Sequence, residues 1–140
     1  RARGNVTVKA PATERVVVHN VVLSKEGLRC VATVTLTRAE EQVVGTAEGS
    51  VATSARWRIV AEAALNALRE IEPNAASIAV EMAGVQKVGD RELGIVTLVL
   101  VIPPQEELLA GVAPVRGGSG EDAVARAVLD ATNRRLSRMR

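Results

Sequence analysis

The groups able to do chemistry are few and thinly spread. Two acidic pairs, Glu40-Glu41 and Glu106-Glu107, fall at corresponding turns in the two halves of the chain. Paired carboxylates can serve acid–base work or hold a cation. At polar turns, however, solvated surface charge is the favoured reading. His19 is the single histidine and Cys30 the single cysteine. That excludes a histidine cluster, a disulfide framework and a multi-cysteine metal site. A nucleophile–base pair of His19 and Cys30 is disfavoured, because Cys30 falls on the apolar face of an alternating segment, where a thiol packs as a small hydrophobe. The chain is therefore expected to be non-catalytic, with no metal and no cofactor.

Two glycine-containing approaches run into predicted helix starts: Gly45 to Ser50, and Gly117-Gly118-Ser119-Gly120. Free backbone N–H groups at a helix start attract anions. No lysine follows in the manner of a phosphate-binding loop. For a small anionic metabolite or an amino acid, the expected ligand-binding residues are Gly49, Ser50, Val51 and Thr53 at the first opening. At the second they are Gly118, Ser119, Glu121 and Asp122. Glu48, Glu121 or Asp122 would answer an ammonium group.

Elements are needed to position these openings, and the composition limits what they are made of. Of 140 residues, 23 are Val and 22 Ala; Phe and Tyr are absent and Trp57 is the only aromatic. The core must be aliphatic and rich in β structure, with Trp57 expected to pack in it. Base-stacking surfaces need aromatic faces, so a nucleic-acid partner is disfavoured. Net charge is +2, from 18 basic and 16 acidic side chains. Arg126, Arg134, Arg135, Arg138 and Arg140 gather near one end, as befits the C-terminal end of a helix dipole. The longest apolar run, Ile95 to Ile102, is far short of the ~20 residues of a membrane span. With no signal-peptide pattern, a cytoplasmic setting and no membrane partner are expected.

Residues 1–13 are weakly patterned and are read as a linker or a loosely attached strand. Residues 14–140 are read as one α+β domain of two pseudo-repeats, 14–73 and 74–140. Val16–Leu23 is β-rich. Leu28 to Thr37 then alternates apolar and polar, the period-2 signature of a half-buried antiparallel strand. Gln42–Gly49 makes a third strand with a row of small residues at Gly45, Ala47 and Gly49. Ser50, Thr53 or Ser54 is the expected cap of the helix that follows. Its stripe is Trp57, Val60, Ala61, Ala64, Leu68 and Ile71, with Pro73 as its stop. The second half repeats the pattern in Ser77–Val88 (interrupted near Gly84), Leu93–Ile102, Glu107–Arg116 and a helix from Glu121. Gly45-Thr46-Ala47 answers Gly111-Val112-Ala113, and Ala61 to Ala67 answers Ala125 to Ala131. The expected fold is a tandem βββα repeat in two layers, antiparallel, with both helices on one face of the sheet. Leu93 to Ile102 is apolar on both of its faces, so the uncovered face is expected to meet a second copy of the chain in a homodimer.

The stretch Val88-Gly89-Asp90-Arg91-Glu92-Leu93-Gly94-Ile95-Val96-Thr97-Leu98-Val99 is similar to a Gly-x-Asp-x-Leu-Gly-x-Val-Thr-Val run. With Gly111-Val112-Ala113, the ending Ala131-Thr132-Asn133-Arg134 and the placement of Gly49-Ser50-Val51-Ala52, it resembles the C-terminal regulatory domain of 2-isopropylmalate synthase and of citramalate synthase. The resemblance covers about residues 16–138. It implies a pair of βββα units, a homodimer and binding of an end-product amino acid. Ser50 and Ala52 stand where that family has Pro and Asp, so one expected ammonium partner is missing. The expected function is a non-catalytic ligand-binding and dimerisation domain. The alternative is an assembly module without a ligand, and behind it a nucleic-acid-binding domain.

Overall fold

A computed structural model describes residues 15–139; the segment read as a linker, 1–13, lies outside the described residues. The element order is β1 (Val17–Glu26), β2 (Arg29–Arg38), β3 (Glu41–Ser50), α1 (Arg56–Arg69), β4 (Ile78–Val88), β5 (Arg91–Ile102), β6 (Gln105–Pro114) and α2 (Gly120–Ser137). It is a tandem βββα arrangement. Two separate three-stranded antiparallel sheets form, β1-β2-β3 and β4-β5-β6, each a simple meander. The turns explain the tight hairpins. Gly27 and Gly89, each at positive φ (66° and 63°), close β1–β2 and β4–β5 in the left-handed backbone region that glycine enters without steric cost.

The repeat extends into the register. Val34 faces Gly45 in the first sheet, and Val96 faces Gly111 in the second. Both first strands carry a bulge, between Val18 and Asn20 and between Val80 and Met82. That second bulge is the only break in β4, which runs through Gly84 where an interruption was expected.

Each helix packs on the second and third strands of its own unit. It also packs on the first strand of the other unit and on the other helix: α1 reaches β4, and α2 reaches β1. Helix α1 buries Ile59, Val60, Ala61, Ala63, Ala64, Leu65, Ala67 and Leu68, almost its whole circumference. A helix apolar on all sides belongs in an interior. The helices thus form a middle layer with a sheet on either side, which replaces the two-layer expectation, while both still lie on one face of each sheet. Alanine is what permits this. Gly45 sits against the backbone of Ala63 and Ala67, and Gly111 against Ala127 and Ala131, with no side chain between strand and helix. The inner rows Ala32, Val34 and Leu36 of β2 and Val96, Leu98 and Leu100 of β5 are fully buried beneath.

Helix ends differ from expectation at one unit. Ser50 Oγ accepts from the Ala52 amide and so closes the strand end. A 3-10 turn, Thr53–Ala55, intervenes, and Ala55 is the N-cap without any side-chain bond. Helix α1 stops at Arg69, and Pro73 opens a second 3-10 turn, Pro73–Ser77, instead of ending the helix.

Candidate functional site

His19 and Cys30 are not brought together. His19 lies in the bulge of β1 next to Asn20, which pairs with Thr35, whereas Cys30 pairs with Lys25 near the other end of the same hairpin. Cys30 is buried. One member of each acidic pair is used in a structural tie: Glu41 meets Arg38 at 3.7 Å and Glu107 meets Arg135 at 3.0 Å. Among the described residues, no group of three or more His, Cys, Asp or Glu is placed to hold a metal ion.

The two helix openings are distinct. At the first, Gly49 and Ser50 end β3, Val51 donates to the Leu28 carbonyl at 3.1 Å, and Thr53 is exposed in the 3-10 turn. At the second, Gly118 holds a positive φ of 73° and Ser119 Oγ accepts from the Asp122 amide at 3.1 Å. Glu121 and Asp122 occupy the first turn, and Asp122 pairs with Arg126 at 2.7 Å. The dipole and one free amide of α2 are therefore already answered from within. Trp57 is half-buried, with its ring against Gly120 and the Arg56 guanidinium 5.4 Å from its centroid. It joins the start of α1 to the start of α2. Replacing Ser119 by alanine removes the only side-chain cap at either helix start. Loss of such a cap costs about 1 kcal/mol, and a thermal melt is expected to fall by about 3 °C.

Two further places stand out, neither of them legible as a motif. The first is the outer face of the second sheet. Register puts Leu93, Ile95, Thr97, Val99 and Val101 of β5 on it, flanked by Met82 of β4 and by Leu108, Ala110 and Val112 of β6. Leu108 is 61% exposed and Val112 46%. The matching face of the first sheet mixes Thr33, Thr35, Thr37 and Thr46 with Val17, Val22, Val31 and Val44, so its apolar side chains are interrupted by hydroxyls. Thr97 Oγ1 is the one buried side-chain polar atom among the described residues without a hydrogen-bond partner.

The second is a pair of clefts at equivalent seams. A cleft of about 250 Å³ lies between α1 and β4, lined by Arg58, Glu62, Asn66 and Arg69 among others. Its counterpart between α2 and the start of β1 is about 400 Å³ and is lined by Arg15, Arg116, Arg126, Asp130 and Asn133. Asn66 donates to the Thr46 carbonyl at 2.8 Å, and Asp130 accepts from the Val112 amide at 2.9 Å, so each fastens its helix to the third strand of its own unit. No protein-family model matches the chain, and no curated protein matches it in sequence.

Proposed function

We propose that this chain is a non-catalytic homodimerisation domain whose contact is the outer face of the β4-β5-β6 sheet. The observation that carries the reading is that face itself, apolar across three strands, while in its counterpart in the first sheet threonines alternate with valines. Apolar surface of that extent favours burial against a partner. A second copy fits it in charge as well. Arg91 stands at one end of the face and Glu106, opposite Val101, at the other. A two-fold axis between the facing sheets and perpendicular to β5 sets Arg91 of one copy beside Glu106 of the other. Such an isologous contact satisfies both charges twice. The axis passes Thr97, whose hydroxyl lacks a partner within the chain. Dimerisation is also what the resemblance to an amino-acid-sensing regulatory domain implies, and ligand sensing at the helix openings is the finer reading that the resemblance adds.

Sedimentation equilibrium at micromolar concentration is expected to give about twice 14.7 kDa. Thr97→Lys places like charges together on the axis, which costs several kcal/mol and weakens association by about a hundredfold or more. The variant is expected to sediment as a monomer with an unchanged circular dichroism spectrum. A monomeric parent, or a Thr97→Lys protein that stays dimeric, overturns the proposal.

A further inference from the structure

We propose that the larger of the two seam clefts, between the start of β1 and α2, is a binding site for a small oxyanion, carried by a phosphate monoester or a dicarboxylate. The smaller cleft shows what arginines do here when their role is structural. Arg69 donates from Nε to the Ala75 carbonyl, from Nη2 to the Ile78 carbonyl at 2.6 Å and from Nη1 to Asn66 Oδ1 at 2.7 Å. Arg58 donates to the carbonyls of Val80 and Glu81. Both guanidinium groups are engaged by the chain, and they pin α1 to the segment that enters and forms β4.

The larger cleft has no such pin. Asn133 stands at the position of Arg69. Arg126 uses Nε on Asp122 and Nη2 on the Pro114 carbonyl, with Nη1 engaged by neither. Arg15 and Arg116 are exposed, and their guanidinium groups have no hydrogen-bond or ion-pair partner among the described residues. Three arginines thus line a concavity with a single lining carboxylate, Asp130, which is itself held by the Val112 amide, and one of the three, Arg126, is paired with Asp122. Like charges gathered in a concave site raise the local concentration of anions. The planar fork of arginine matches a carboxylate or phosphate with paired hydrogen bonds. With Arg126 already answered by Asp122, Arg15 and Arg116 exceed Asp130 by one cation, which calls for an anion, and the aliphatic wall leaves room for a short carbon skeleton.

The test uses the full chain, with unfolding followed by Trp57 emission. Millimolar inorganic phosphate and millimolar succinate are each compared with sodium chloride at equal ionic strength. At least one of the two is expected to raise the midpoint above the chloride control, in proportion to occupancy. Arg15→Gln with Arg116→Gln is expected to weaken the apparent affinity by about tenfold or more. Because both side chains are exposed, the ligand-free midpoint should hold. Arg58→Gln, in the smaller cleft, should leave the ligand-induced shift intact. A shift with phosphate alone assigns a phosphate ester, with succinate alone a dicarboxylate, and with both the oxyanion class as a whole. No shift beyond chloride, or a shift retained in the double variant, overturns the proposal. Sedimentation of the same double variant should still show a dimer, so failure here is separable from failure of the dimer reading.

Discussion

Gly111→Ala is expected to be among the most damaging single-methyl additions this protein can receive. A Cβ built there lies 2.6 Å from the Ala131 amide nitrogen and closer still to the Ala127 carbonyl oxygen. Both contacts are with helix backbone, so no side-chain rotation relieves them, and α2 must lift from β6 as a body. Overpacking a tight core costs about 1–3 kcal/mol when side chains can adjust. Here a loss at or above the top of that range is expected, a large share of the ~5–15 kcal/mol that holds a domain together. Gly45→Ala meets Ala63 and Ala67 in the same way, and the two substitutions together should leave no folded population in a urea titration. Gly84→Ala is the control. Nothing lies within 4 Å of a Cβ at that position, so its midpoint should stay close to the parent's. Equal midpoints for Gly111→Ala and Gly84→Ala would contradict the direct strand-to-helix packing.

Glu72→Ala should cost about 2–3 kcal/mol. Glu72 is 2% exposed and sits 2.9 Å from the Arg38 guanidinium, which also donates to the Ile71 carbonyl. The pair fastens the end of β2 to the turn after α1. Removing one member of a buried pair strands the other charge, an effect of about 3–5 kcal/mol in full burial. The lower figure here reflects the 17% exposure of the Arg38 side chain and the presence of Glu41 at 3.7 Å. The decisive comparison is the double variant Arg38→Leu, Glu72→Leu. It should be more stable than Glu72→Ala, because Arg38 is no longer left without its closest carboxylate. Strictly additive losses would show that the two residues do not act on one another.

The repeat was readable because its glycines are not interchangeable with other small residues. Gly45 and Gly111 mark the same contact in both units, and Gly27 and Gly89 mark the same hairpin. What the sequence conceals has specific reasons. Ala63, Ala67 and Ala125 lie off the apolar stripes, and alanine is compatible with either water or a core. That both sides of each helix are covered is therefore invisible until the second sheet arrives. Ser50 is a good capping residue, yet its hydroxyl is taken by Ala52 at the strand end, a local competition that propensity alone does not decide. Arg15 and Arg116 lie about 100 residues apart in sequence, and only the packing of β1 against α2 brings them to one cleft. Thr97 reads as an ordinary strand threonine; its unpaired hydroxyl is a property of the folded sheet.

The crossed packing of the helices also imposes an order of events. Strand β1 is the first described element to be synthesised, and α2, which covers part of it, is the last. A nascent chain that has emerged only as far as α1 can build the first unit but cannot close it. The apolar side of β1, with Val18, Val21 and Leu23, waits for a helix not yet made. Contacts so distant along the chain slow folding and lengthen the exposure of apolar surface. During that interval, the α2 of a neighbouring chain that has not yet closed is chemically as good an occupant as the chain's own. Exchange of helices between molecules is thus the characteristic misassembly of this architecture, and it is favoured wherever many copies are translated close together.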